Sequence, residues 1–125
     1  MKKALIVVDM QKDFVDGSLG TPAAQSIVPA VAEKIRAFRG DALLVTLDTH
    51  GADYLQTLEG KKLPVPHCIK GTPGHALHSE IQAALSGKPH TLVKKNTFGS
   101  FDVARLLAER FPGEPPEIEL VGLCT

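Results

Sequence analysis

Ala4-Leu5-Ile6-Val7-Val8-Asp9, residues 4 to 9, decides the fold. Four of its residues, Leu5 to Val8, form an unbroken apolar run rich in β-branched side chains. A run this short, with turn-forming residues soon after it, reads as a strand buried on both faces, as parallel sheets require. Asp9 then ends it with a carboxylate. An ionised group at the tip of a core strand needs a partner, because burying a charge alone is costly. Asp9 either starts the loop and caps a backbone amide, or faces a site at the carboxyl edge of the sheet, where open α/β folds hold their ligands.

Working outward, Ala42 to Leu47 (ALLVTL) repeats the pattern and also ends in a carboxylate, Asp48, followed by Thr49 and His50. Residues 10 to 24 read as a loop punctuated by Gly17, Gly20 and Pro22, with Phe14 its one aromatic. A helix is expected from Ser26 to Arg39, with Ile27, Val31, Ile35 and Phe38 at helical spacing, Pro29 in the first turn and Gly40 just past the end. Strand, helix and strand form a right-handed crossover, so the two strands run parallel. Asp9 and Asp48 therefore share one edge.

Residues 51 to 74, rich in Gly and Pro, read as a long irregular connection carrying His67. A connection of that length is usually functional or disordered, and its Leu63, Val65, Cys68 and Ile69 argue for order. A helix is expected from His75 to Ser86, with His75 and His78 off its apolar stripe and on the surface. Thr91 to Val93 begins a third strand ending in Lys94-Lys95, Ser100 caps a helix from Phe101 to Phe111, and Glu117 to Leu123 is the fourth strand. Gly122 in it suits close backbone approach. The fold class is α/β: a Rossmann-like, three-layer parallel sheet with helices on both faces. The strand–helix rhythm stops at Cys124-Thr125 with no covering helix. Residues 1–125 are therefore expected to be the N-terminal portion of one domain whose C-terminal part is missing.

With 125 residues the chain suits a single domain. Lys plus Arg and Asp plus Glu number 14 each, so no net charge calls for nucleic acid or an anionic membrane surface. Its apolar runs are too short to span a bilayer, and Asp9 interrupts any signal-peptide core. A cytoplasmic protein with two free thiols, Cys68 and Cys124, is expected.

The strand tips bring together Asp9, Asp48 with His50, Lys94-Lys95, and Gly122 to Thr125. A carboxylate and an amine at one site can hold and move a proton. Asp48, His50 and His67 offer a nitrogen and oxygen donor set compatible with a divalent Zn, Fe or Mn ion.

These residues resemble the isochorismatase-like cysteine hydrolases, in particular their nicotinamidase-related branch. Asp9-Met10-Gln11-Lys12-Asp13-Phe14 is similar to the family's D-x-Q-x-D-F opening, and Thr46 to His50 to its second-strand metal motif. Pro66 to Gly74 resembles P-H-C-x-x-G-T-x-G, and Lys95 to Phe101 matches K-x-x-[YF]-[SG]-x-F. Val121 to Thr125 matches V-x-G-x-x-T-x-x-C as far as its threonine.

The resemblance implies a hydrolase that cleaves the C–N bond of a small-molecule amide through a Cys-Asp-Lys triad. Asp9 would be the acid/base and Lys95, rather than Lys94, its charged partner. Asp48, His50 and His67 would bind one metal ion; no organic cofactor is implied. Phe14 would line the substrate pocket. The backbone N–H of Cys124 would serve the oxyanion hole, reached through a cis peptide. A homo-oligomer is expected, with no nucleic-acid or membrane partner. The family's nucleophilic cysteine falls three residues past Thr125, and the further His that nicotinamidases often carry has no counterpart in residues 51 to 66, where Asp53 and Glu59 are the carboxylates. The alternatives are an isochorismatase-type vinyl-ether hydrolase and a non-catalytic α/β scaffold.

Overall fold

A computed structural model describes residues 2–95 and 101–123. The apolar runs form the strands β1 (Lys3–Val8), β2 (Ala42–Asp48), β3 (Thr91–Lys95) and β4 (Glu117–Gly122). All pairs are parallel, in the order β3-β2-β1-β4. β2 is buried along its whole length, which is why its sequence is apolar without alternation.

The helices are α1 (Lys12–Val15), α2 (Pro22–Ala37), α3 (Leu58–Lys62), α4 (Ser79–Leu85) and α5 (Phe101–Arg110). One layer packs Val28, Val31, Ala32 and Ile35 of α2 and Ile81, Ala84 and Leu85 of α4 against Leu5, Val7, Leu43, Val45 and Leu47 of the sheet. Leu107 of α5, with Phe111 just past it, joins Ala4 and Ala42 in a second cluster. Those alanines alternate with Leu5 and Leu43 along their strands, so this cluster lies on the opposite face. The sheet is thus covered on both sides, as the sequence predicts. Successive strands step outward from β1 to β3, and then β4 returns to the other side of β1. The sense of winding reverses between β1 and β4, and at such a switch point the loops diverge and leave a crevice at the carboxyl ends of the strands. Asp9 follows β1 directly.

Several boundaries differ from the sequence reading. α2 begins at Pro22, not Ser26, because Thr21 Oγ1 accepts the Ala24 N–H at 3.0 Å and Pro22 takes the first-turn position where no N–H is needed. Pro29 consequently lies inside the helix. The segment read as a loop after Asp9 contains α1, and the 51–74 connection contains α3, with Thr57 as its cap, and two 3₁₀ turns. α4 starts only at Ser79, where His78 Nδ1 accepts the Glu80 N–H. β3 ends at Lys95, as expected.

Gly122 has φ +119, and a Cβ there would lie 2.4 Å from Val8 O, so a close approach of β4 to β1 requires glycine. Among the described residues no helix is long and apolar enough to cross a membrane.

Candidate active site and metal centre

Asp9 is fully buried and adopts φ +50, a left-handed backbone that Asp tolerates better than most residues. Its N–H donates to Thr46 O at 3.2 Å, which ties the end of β1 to β2. Its carboxylate has a partner for each oxygen. Thr46 Oγ1 donates to Oδ1 at 2.7 Å, and Lys95 Nζ donates to Oδ2 at 2.8 Å. Strand alternation selects the lysine: Val93 and Lys95 point inward from β3 and Lys94 points to solvent. Burial pushes the Asp9 carboxyl above the usual range, against the opposing pull of Lys95 and Thr46. A buried carboxyl raised in this way while holding an ammonium is placed to accept and return a proton.

Beside this pair, Asp48, His50 and His67 converge, each almost completely buried. One ligand atom from each lies within 4.8 Å of the others. Asp48 Oδ2 sits 3.0 Å from His50 Nε2 and 3.3 Å from His67 Nε2. His67 Nδ1 donates to Val65 O at 2.7 Å. A carbonyl only accepts, so Nδ1 carries a hydrogen, and neutral His67 aims the Nε2 lone pair at a carboxylate. That arrangement needs a cation at Nε2, either a proton or a metal ion. A backbone carbonyl that fixes the tautomer from behind is the usual support of a metal-binding imidazole.

A second carboxylate, Glu59, borders this trio on the His50 side. Glu59 Oε2 lies 3.2 Å from His50 Nε2 but forms no hydrogen bond, since that nitrogen engages Asp48 Oδ2. A buried carboxylate oxygen without a hydrogen bond, next to two imidazoles and a second carboxylate, fits the place of a divalent cation. Tyr54 walls the site, its ring 4.6 Å from His50 and 5.0 Å from His67, and donates its hydroxyl to Leu63 O.

Burial alone would raise Asp48, but bonds from His67 and His50 outweigh it and hold this carboxyl below its usual range. Burial alone would lower His67, but the Asp48 bond and the Val65 carbonyl outweigh it and raise the imidazole above 6.5. In the metal-free chain the raised His67 contributes stability that is fully present below pH 6.5 and fades as pH rises through its folded value. The lowered Asp48 contributes stability present above pH 3.8 and lost as pH falls through its folded value.

The remaining expected site residues fall as follows. Phe14 is half-buried with its ring 5.3 Å from His67, so it flanks the Asp48, His50 and His67 cluster. Cys124, the peptide before it, and residues 96–100 of the lysine motif lie outside the described residues. Leu123 N donates to Val8 O, which brings the end of β4 beside Asp9. Cys68 is fully buried at φ +48, and burial together with the nearby carboxylates drives its thiol pKa far up, so it stays protonated and is no nucleophile.

His75 and His78 are half-buried rather than fully on the surface. His75 Nε2 lies 2.9 Å from Thr49 Oγ1 and its pKa is lowered by burial, while His78 caps α4. Thr46, Gln11 and Glu59 have functional contacts to which sequence reasoning gave no role. Thr46 carries the clearest signal, as a polar residue two positions before Asp48 on one strand face.

The chain matches the family model of the Isochorismatase domain over residues 3–125. An uncharacterized isochorismatase family protein of Bacillus subtilis (strain 168), PncA, is 33% identical over 138 residues, covering 100% of this chain and 73% of its own length. A crystal structure of nicotinamidase/pyrazinamidase PncA from Bacillus subtilis superposes with a TM-score of 0.81 at 30% identity, over 99% of this chain and 72% of that one. The pyrazinamidase of Pyrococcus horikoshii in complex with zinc gives 0.75 at 26% identity, over 100% of this chain and 72% of that one.

Proposed function

The chain belongs to the isochorismatase-domain family of hydrolases, and from that footing we propose that it hydrolyses the C–N bond of a small amide of the nicotinamide or pyrazinamide class. The observation that carries this reading is the buried Asp9–Lys95 pair, 2.8 Å apart, beside the Asp48, His50 and His67 donor set. Relatives that act on nicotinamide and pyrazinamide, one of them holding zinc, favour an amide over a vinyl ether.

The attacking group is a thiol. In this reading it is the cysteine of the family's V-x-G-x-x-T-x-x-C pattern, whose threonine Thr125 matches. Asp9 takes the thiol proton on its carboxylate, and the thiolate forms a C–S bond to the amide carbon. Lys95 keeps its ammonium against Asp9 Oδ2, which limits the charge that builds in the dry cleft when Asp9 is ionised. The proton on Asp9 then passes to the leaving nitrogen as the C–N bond breaks and ammonia departs. Water, deprotonated by Asp9, cleaves the thioester to a carboxylic acid, and the proton returns to the sulfur. Phe14 offers a ring face to a flat substrate.

Asp48, His50 and His67, with Glu59, would hold a divalent ion, zinc being the first choice for this nitrogen and oxygen set. When bound, such an ion supplies Lewis acidity toward a substrate heteroatom.

The reading is tested by following ammonia release from nicotinamide, pyrazinamide and aliphatic amides with the full-length protein and zinc. Release well above the protein-free rate with an aromatic amide is expected; none with any amide overturns the reading. A second expectation concerns pH. Zinc must displace the proton that the raised His67 retains above 6.5. Affinity is therefore expected to fall as pH is lowered through the imidazole range, starting from a higher pH than for an unperturbed histidine. Competition with a chromophoric chelator measures it, and a flat profile removes His67 from the ligand set.

A further inference from the structure

The turn after Asp9 reaches both segments that carry metal donors. Gln11 is completely buried although it is an amide. Its Oε1 accepts the N–H of Asp48, and its Nε2 donates to Asp48 O and to His75 O, all at 2.8 Å. The side chain thus binds both polar groups of the Asp48 backbone, as a neighbouring strand residue would, beyond the point where the ladder between β1 and β2 ends. Only a carboxamide has the acceptor and the two donors that these three partners require. Glu lacks the donors when ionised, Met lacks every polar group, and Asn is one methylene short.

Two residues on, Asp13 Oδ2 accepts the N–H of Cys68 at 2.8 Å. Cys68 follows His67 directly and holds a left-handed backbone, φ +48, that a residue with a Cβ adopts only when its surroundings impose it. The main chain of the same turn adds a bond from Lys12 N to Ala76 O at 2.9 Å. One turn therefore grips the tip of β2, which bears Asp48 and His50, and the loop that bears His67. It is joined to Asp9 through Met10 alone.

We propose that Gln11 and Asp13 are positioning residues that hold the metal donors in register with the Asp9–Lys95 pair. This rests on the metal site proposed above. Gln11 sets the Asp48 carboxylate by fixing its backbone. Asp13 sets the His67 ring by fixing the peptide that follows it. Neither side chain is itself a metal donor, so each acts through the backbone of the residues that are.

The test is titration of the full-length protein with zinc, and with cobalt(II) as a spectroscopic probe. Gln11→Glu and Asp13→Ala are each expected to weaken zinc binding by ~10- to 100-fold, the usual scale for partners behind metal ligands, and to change the cobalt spectrum. Asp13→Asn keeps an acceptor for the Cys68 N–H and is expected to stay within about threefold of wild type. Val28→Ala, a cavity in the α2 core away from the site, should lower the melting temperature and leave zinc affinity unchanged.

Zinc affinity for Gln11→Glu within about twofold of wild type overturns the proposal, as does a loss in Val28→Ala equal to that in Gln11→Glu. Absence of zinc binding by the wild type overturns the metal site itself. The clamp is then judged on the metal-free chain by amide exchange at Asp48. At least tenfold faster exchange in Gln11→Glu and Gln11→Met than in wild type supports it, and unchanged exchange refutes it.

Discussion

Lys95→Met is expected to lower amide turnover by at least ~100-fold, the scale on which positioned acid–base groups contribute. The same change removes the only cation bonded to a carboxylate with no solvent exposure among the described residues. Breaking a buried pair from one side typically costs about 3–5 kcal/mol, because the remaining charge is stranded. Asp9, already raised by burial, rises further without its ammonium. The sign of the pH effect follows. A carboxyl whose folded pKa exceeds its unfolded value of 3.8 favours the folded state while protonated. Stability of the variant should therefore fall as pH climbs from 3.8 through the folded value and level off above it. Thermal melts across pH check this, alongside ammonia release. Turnover within about threefold of wild type would show that Lys95 holds no part of the chemistry.

The second large effect belongs to Asp48. Its Oδ2 is the atom that both imidazoles approach, at 3.0 and 3.3 Å. Asp48→Ala should leave His50 and His67 without their shared anion, and zinc affinity should drop by more than the ~100-fold typical of indirect partners. Elemental analysis of the purified protein reads this directly. Near-stoichiometric zinc in the wild type and little in the variant are expected. Equal zinc in both would place any bound metal elsewhere.

The strands were readable because strands buried on both faces leave their mark as continuous apolar runs. Residues 4–8 and 42–47 show this plainly. The tips followed from parallel orientation, which gathered Asp9, Asp48 and the Lys94-Lys95 pair at one edge; it was the family resemblance that singled out Lys95. The helices were less legible. Thr21-Pro22 is a helix start by its chemistry, yet it sits among glycines that suggested a loop. α3 spans five residues, fewer than two turns, so periodicity could not reveal it. Gln11 and Glu59 were hidden for a different reason. Gln11 bonds a backbone 37 residues away, and Glu59 meets His50 through a turn that its own sequence barely signals. Side-chain contacts across such separations leave no local pattern.

If Asp9 and Lys95 act as one proton-handling unit, as proposed, a double-mutant cycle on ammonia release will show it. Asp9→Asn and Lys95→Met should each cost at least ~100-fold, and the double variant should be no worse than the poorer single by more than about threefold, as for groups that work as a unit. Losses that multiply in the double variant would instead show two residues contributing independently, although the fold holds them 2.8 Å apart.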